Sequence, residues 1–188
     1  VITNDPEVAD RLRLLRSHGM TKTATDRERD GYSHWDMVLF GWKYNMDNIH
    51  AALLLPQLEG IDERWNNRIA VADRYTHALE ELEDVTLPSV VGNSKHAFHL
   101  YPIRVKKTLR DQLIKSFHRN GIGSTVNYRA IHLLSYFSEM LGHSLGDFPQ
   151  AEKIGDTTIS LPFYPSIHDS HVDTVIETLK SEFGKFSG

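Results

Sequence analysis

Gly41–Leu58 reads G-W-K-Y-N-M-D-N-I-H-A-A-L-L-L-P-Q-L, a polar, aromatic loop that runs straight into a long helix. Asp47 or Asn48 can cap that helix, because a short side-chain oxygen accepts the orphan N–H groups of a first turn. The loop ahead of it, Gly41 to Asn45, combines a glycine, a cation, an amide and two rings. A helix N-terminus behind such a loop carries partial positive charge and free donors, which suits a phosphate or another anion. An ordinary capped helix after a surface turn has the same spacing, so the stretch alone does not separate the two readings.

Beyond the loop, apolar residues recur at Met46, Ile49, Leu53, Ile61, Trp65, Ile69, Ala72, Tyr75, Leu79 and Leu82, mostly in steps of three, four or their sums. One helical face therefore persists to about Leu82. A single helix over 46–83 makes a rod of roughly 50 Å. Pro56 removes one backbone donor and predicts a kink there. A clean heptad is missing, which disfavours a coiled coil, and a rod of this length suits a bridge between two bodies.

Upstream, Val1 to Thr3 reads as the end of a strand, with Asn4 or Asp5 as a cap and Pro6 at the first helical position. Val8, Leu12 and Leu15 share one face of that helix, Arg11, Arg13 and Arg16 occupy its other sides, and Gly19 after His18 marks its end. Thr21 to Val38 is polar and without period, hence a loop. A domain seldom opens inside a strand, so the chain reads as a piece of a longer protein.

Downstream of Asp84 the pattern changes. Val85 to Leu87 reads as a short strand ended by Pro88, and His99 to Val105 as a strand that Pro102 demotes to an edge or bulged position. Thr108 is expected to cap a helix with Leu109, Leu113, Ile114 and Phe117 on its apolar face, closed by Asn120-Gly121. Ile122 to Tyr128 reads as the next strand. Short helices over Leu133 to Met140 and Ala151 to Thr158 follow, then a strand at Ile159 to Pro162. A last helix, capped at Asp169, turns Val172, Val175, Ile176 and Leu179 inward. The fold class is α/β of the α+β kind, with a small domain over 84–188.

The bulk numbers agree with a globular protein: 188 residues, 40% hydrophobic and 24% charged. A formal net charge of −4 argues against a general nucleic-acid binder, and no apolar run approaches the about 18 residues of a membrane span. With no cysteine, disulfides and thiol catalysis are excluded, and the cytoplasm is the default compartment. Eleven histidines raise the question of zinc, but no pair has the helical H-x-x-x-H spacing with a glutamate between, so no metal site is expected. Walker, G-x-G-x-x-G and G-x-S-x-G signatures are absent as well.

Seven segments nevertheless stand in a telling order: V-I-T-N-D-P-E, R-L-L-R-S-H-G-M, G-W-K-Y-N-M-D-N-I-H-A-A-L, H-A-F-H-L-Y-P-I-R-V, N-G-I-G-S-T-V-N-Y-R-A-I-H, G-D-F-P-Q-A-E and I-S-L-P-F-Y-P-S-I. In that order they resemble the C-terminal half of the DegT/DnrJ/StrS sugar aminotransferases, pyridoxal-phosphate enzymes of fold type I that act on keto sugars of nucleotides. The K-Y-N loop and Y-R-A-I-H are most similar to members that make 4-amino-4-deoxyarabinose nucleotides with glutamate as donor. The resemblance implies that 1–45 is the remnant of the large cofactor-binding domain, 46–83 a connecting helix and 84–188 the small C-terminal domain.

It also implies a homodimer with shared active sites, whose partners are a nucleotide-linked keto sugar and an amino-acid donor, with no nucleic acid and no membrane. In the family the Schiff-base lysine precedes the strand matched by Val1–Thr3, so no catalytic residue is assigned here and the chain alone is expected to be inactive. The loop matching Gly41–Asn45 reaches the neighbouring subunit's cofactor phosphate. Asn45 stands where many members have arginine, and Lys43 replaces a frequent asparagine, so the positive charge is displaced by two residues. Asn127 and Tyr128 match the segment that faces the nucleotide sugar, where histidine is common at the first position. Asparagine keeps a donor and an acceptor there but cannot act as an acid near neutral pH.

His132 and His99 complete the implied substrate side. Tyr128 as a core residue, His132 as a helix cap and His99 as a packed residue remain open beside those roles, as do Trp42 and Tyr44 as interface anchors. Two other functions stay open too: a sugar dehydratase of the same family, with histidine in place of the lysine, and a non-catalytic association module.

Overall fold

The computed structural model of the chain describes residues 1–22, 26, 29 and 34–186, apart from the side chain of Phe186. It divides into two compact units, Val1–Glu59 and Gly60–Gly188.

In the first unit, Asp5 is the cap of helix α1 (Pro6–Leu15): its carboxylate accepts the N–H groups of Glu7 and Val8 at 2.9 and 3.2 Å. Pro6 opens the helix, where its missing N–H costs nothing. Val1 to Thr3, read above as a strand end, forms no strand, because a strand exists only through a partner and none of the described residues pairs with it. After Leu15 the chain reverses through His18 and Gly19, both at positive φ. The segment 37–44 then runs antiparallel to this turn, with bridges Met20↔Met37 and Ser17↔Lys43. Half of the loop expected between Thr21 and Val38 lies outside the described residues, and Asp26 and Arg29 within it are helical rather than loop. Helix α2 (Asn48–Glu59) closes the unit.

The rod is not continuous, and its interruption is not at Pro56. Pro56 lies inside α2, whereas the helical run divides at Gly60, ahead of α3 (Ile61–Leu79). Glycine pays more backbone entropy in a helix than any other residue, and it serves well as an N-cap. Here its carbonyl accepts the Arg64 N–H at 3.1 Å to start the second helix.

The second unit is built on a three-stranded antiparallel sheet in the order β1 (Val85–Thr86), β2 (Tyr101–Val105), β3 (Thr158–Leu161). Pro102 therefore lies in the central strand and not at an edge. It is tolerated because β1 is only two residues long and pairs with Val105 and Arg104 alone, so the side of β2 at Pro102 that faces away from β3 carries no ladder. Helix α4 (Lys107–Arg119) follows β2 directly, with Lys106 in the cap position and no side-chain cap. Thr108 is thus inside the first turn, since the extended strand runs to Lys106 without a turn in which Thr108 could fold back. Asn120 and Gly121 close α4 as the spacing predicts, with Gly121 at φ 70°.

Ile122 to Tyr128 is not a strand. A single bridge, Thr125↔Ser160, attaches it to β3 before the chain turns at Asn127-Tyr128. A 3-10 turn (Ile131–Leu133), α5 (Ser135–Leu141) and α6 (Pro149–Thr157) lead into β3, and α7 (Asp169–Phe186) ends the unit. Tyr75 and Leu79 of α3, Leu113 and Phe117 of α4, and Val172, Val175 and Leu179 of α7 enclose Tyr101, Ile103 and Ile159 of the sheet. Each such side chain contributes about 1.5–3 kcal/mol on burial. The two core tyrosine hydroxyls are paired: Tyr75 donates to the Pro162 carbonyl at 2.9 Å, and Tyr101 meets Thr76 Oγ1 at 2.7 Å. Among the described residues no helix is long and apolar enough to cross a membrane.

Candidate functional site

The loop at Gly41 is fixed by its backbone. Trp42 N–H donates to the Leu15 carbonyl at 2.7 Å, His18 N–H to Trp42 at 2.9 Å, and Tyr44 N–H to Arg16 at 2.8 Å. Two glycines permit this approach. A Cβ on Gly19 would lie 1.9 Å from the Leu39 carbonyl oxygen, and one on Gly41 would lie 2.4 Å from the Gly19 nitrogen. Extended residues alternate faces. Phe40, Trp42 and Tyr44 accordingly stack in a row, with Trp42 and Tyr44 parallel at 6.1 Å and Phe40 edge-on to Trp42 at 5.6 Å. Lys43 and Asn45 alternate with these rings along the sequence. Both are exposed, and neither has an ion pair or side-chain hydrogen bond among the described residues.

Asp47 caps α2, its Oδ1 accepting the His50 N–H at 2.9 Å and its Oδ2 meeting His50 Nδ1 at 2.5 Å. The His50 N–H, then the His50 ring, hold this carboxyl below the usual range. Tyr44, Asn45, Asp47, His50, Leu53 and Leu54 line an open hollow of about 470 Å³ here.

In the second unit, the turn carrying Asn127 and Tyr128 leaves β3 at the Thr125 bridge, where Ser160 N–H donates to Thr125 at 2.8 Å. It then presses on α6 at Gly155: a Cβ there would lie 2.8 Å from Ala130 N and 3.2 Å from the Tyr128 carbonyl oxygen. The Asn127–Tyr128 peptide is cis. Tyr128 is 69% exposed, so its ring belongs to the surface and not to the core. Asn127 Oδ1 is buried without a partner among the described residues.

His132 is buried rather than open to solvent, and its Nε2 meets Glu152 Oε1 at 2.9 Å. It caps no following helix by its side chain; α5 has no side-chain cap. Burial alone would raise the Glu152 carboxyl, but the Gly146 N–H, His132 and the Phe148 N–H outweigh it and hold the group below the usual range. His99 is exposed in the loop before β2, beside buried Phe98. Tyr128 and His132 are thus joined to one support, α6, while His99 belongs to a different loop. No cluster of metal-ligating side chains occurs among the described residues.

Glu152 and Gly155 received no role from the sequence. The available signal was a glutamate four residues after Phe148 at a helix start opened by proline, a spacing that lets the carboxylate fold back on the first free N–H groups.

Comparison with known proteins matches the geometry to a family. The chain is 34% identical over 184 residues to the spore coat polysaccharide biosynthesis protein SpsC of Bacillus subtilis, covering 95% of this chain and 47% of SpsC. In structure it is similar to the aminotransferase TlmJ of Streptoalloteichus hindustanus, with a TM-score of 0.80 and 25% identity over 98% of this chain and 47% of TlmJ. It is likewise similar to Spr1654 of Streptococcus pneumoniae in its PLP form, with a TM-score of 0.82 and 27% identity over 97% and 45% of the two chains. The chain spans about half the length of the curated relatives it matches. With residues 1–180 matching its pattern, the chain belongs to the DegT/DnrJ/EryC1/StrS aminotransferase family.

Proposed function

We propose that these 188 residues are the C-terminal portion of a pyridoxal-phosphate-dependent aminotransferase that converts a nucleotide-linked keto sugar to an amino sugar, with glutamate as donor, for cell-surface polysaccharide or related amino-sugar synthesis. The observation that carries this reading is the backbone-pinned loop in which Lys43 and Asn45, two residues apart, are both exposed and without side-chain partners among the described residues. An ammonium and an amide N–H₂ form a donor set for a phosphate dianion, so the residues present fit the cofactor's phosphate. When bound, pyridoxal phosphate supplies the electron sink for amino-group exchange.

The chain's own residues would then bind and orient. Lys43 neutralises phosphate charge, and Asn45 donates a neutral, directional hydrogen bond to it from the neighbouring subunit of a homodimer. Tyr128 offers an exposed ring and hydroxyl to the sugar nucleotide, and Asn127 Oδ1 is a buried acceptor in need of a donor such as a sugar hydroxyl. An acceptor left unpaired costs about 1–3 kcal/mol, which a ligand hydroxyl would recover. His132 stands behind Tyr128 as support, and His99 is a polar group of the same domain. In this reading 1–45 belongs to the large domain, 46–83 to the connection and 84–188 to the small domain.

The chain alone is proposed to be inactive. All nine of its lysines are exposed or half-exposed, whereas a Schiff-base lysine works from a desolvated pocket. Borohydride treatment of the purified chain with pyridoxal phosphate should therefore leave no single lysine stoichiometrically modified in a peptide map. The full-length product of the reading frame should transfer the amino group of glutamate to a nucleotide-linked keto sugar. Lys43→Ala and Asn45→Ala should weaken cofactor retention, and Tyr128→Phe should raise the KM for sugar without affecting that for glutamate. Loss of water from the sugar without amino transfer would replace this reading with a dehydratase, and no turnover with retained folding would favour an association module.

A further inference from the structure

One carboxylate oxygen in the second unit gathers three donors from two separate segments. Glu152 Oε1 faces His132 Nε2 at 2.9 Å, Gly146 N–H at 2.8 Å and Phe148 N–H at 3.3 Å. The first donor lies in the 3-10 turn four residues beyond Tyr128; the other two lie in the loop between α5 and α6. Both partners of the His132–Glu152 pair are largely buried, at 8% and 12% side-chain exposure, so water does not compete for the contact.

The 142–148 loop is also held by bonds of its own. Asp147 Oδ2 accepts the Ser144 N–H at 3.0 Å and meets His143 Nδ1 at 3.2 Å, while Ser138 Oγ donates to the His143 carbonyl at 2.7 Å. Its contacts to His132 run through Glu152 and through ring edges, Phe148 at 4.8 Å and His143 at 6.3 Å.

We infer that Glu152 is a positioning residue for the Asn127–Tyr128 turn, acting through His132, and that the same oxygen closes the 142–148 loop onto that anchor. Two contacts on one helix then fix the turn. Gly155 sets its distance from α6 by admitting the Tyr128 and Ala130 backbone where no Cβ fits, and Glu152 sets its direction by holding the His132 ring. Residues 152 and 155 are three apart, hence on one face of α6, the face that the turn covers. A carboxylate suits this role better than an amide, because it accepts all three hydrogen bonds with charge and presents no donor to repel them. The functional meaning of the inference rests on Tyr128 being the substrate residue proposed above.

The test uses the isotope-labelled full chain without ligand, observed by NMR. In the wild type the His132 ring should show its proton on Nε2, donated to Glu152. Glu152→Gln should alter that ring signature, shift the amide signals of Asn127 and Tyr128, and speed exchange of the Gly146 amide by at least about tenfold. The core amides of Ile103 and Leu161 should stay unchanged, and Glu152→Asp should restore the ring signature. His132→Gln provides a second arm should Glu152→Gln fail to fold. It should move Asn127 and Tyr128 while Gly146 exchange stays slow, because Glu152 still holds that loop. Unmoved Asn127 and Tyr128 signals in a folded variant of either kind overturn the inference. These readouts need no substrate, so their failure leaves the sugar reading to the turnover assay, and failure of that assay leaves the positioning intact.

Discussion

Helices α2 and α7 are both rich in apolar residues, yet they end up in opposite conditions. In α7, Val172, Val175, Ile176, Leu179 and Phe183 are buried in the core of the second unit. In α2, Ile49, Leu53, Leu54, Leu55 and Leu58 are exposed, and no residue of the helix is buried. The difference is one of arrangement. The apolar residues of α7 fall in a stripe backed by charged and polar residues, so one wall suffices to cover them. Those of α2 lie on every side, which is the pattern of a helix that is covered all round. Apolar content therefore says that a helix can be buried, and only a facing surface makes it so. Exposed apolar area on this scale marks an interaction surface.

Truncations give the largest test of that contrast. Phe117→Ala should destabilise the second unit by about 3–5 kcal/mol and Leu113→Ala by about 2–5 kcal/mol, read from urea unfolding. Leu53→Ala in α2 should stay within about 0.5 kcal/mol, and a cost equal to that of Leu113→Ala would break the comparison. Next in size, Gly155→Ala should cost about 1–3 kcal/mol, because its new methyl meets backbone and not a yielding side chain. The shift should appear in the Tyr128 amide before it appears in the sheet.

Asp5→Ala removes the α1 cap and should cost that helix about 0.5–2 kcal/mol. Faster amide exchange confined to α1, with that of α7 unchanged, is the expected outcome.

The smallest effect is expected from pH. Glu152 and Asp147 both have carboxyls held low in the folded chain, Asp147 by the Ser144 N–H and then by His143. A depressed folded value means that their contribution is complete above the ordinary carboxyl range and is lost as pH falls through the folded values. Protection of the Ser144 and Gly146 amides, taken relative to the intrinsic exchange rate at each pH, should fall on acidification, and a loss of protection on raising the pH instead would contradict the sign.

Much of the second unit was legible because its helices carry one-sided periodicity: Leu113 and Phe117, and Val172, Val175, Ile176 and Leu179, are inward as their spacing predicts. The misread pieces depend on partners or on backbone. Ile122 to Tyr128 has a strand's composition but only one bridge, and Thr108 has a cap's chemistry where the strand leaves no turn for it. Tyr128 and His132 were named from their segment, yet nothing local tells that one is exposed and the other buried against Glu152. That pairing spans 20 residues and passes through two helices and a loop.

By itself the sequence determined the helix signals, a cap at Asn4 or Asp5 and at Asp47 or Asn48, and the Gly121 stop, each written in neighbours a few residues apart, and the order of segments that marks the family across 1–180. Tertiary structure alone decided the break at Gly60, the central place of Pro102, the close approach at Gly19 and Gly41, and the convergence on Glu152. Those outcomes depend on which distant backbone or donor arrives at a residue, and spacing along the chain does not encode that distance.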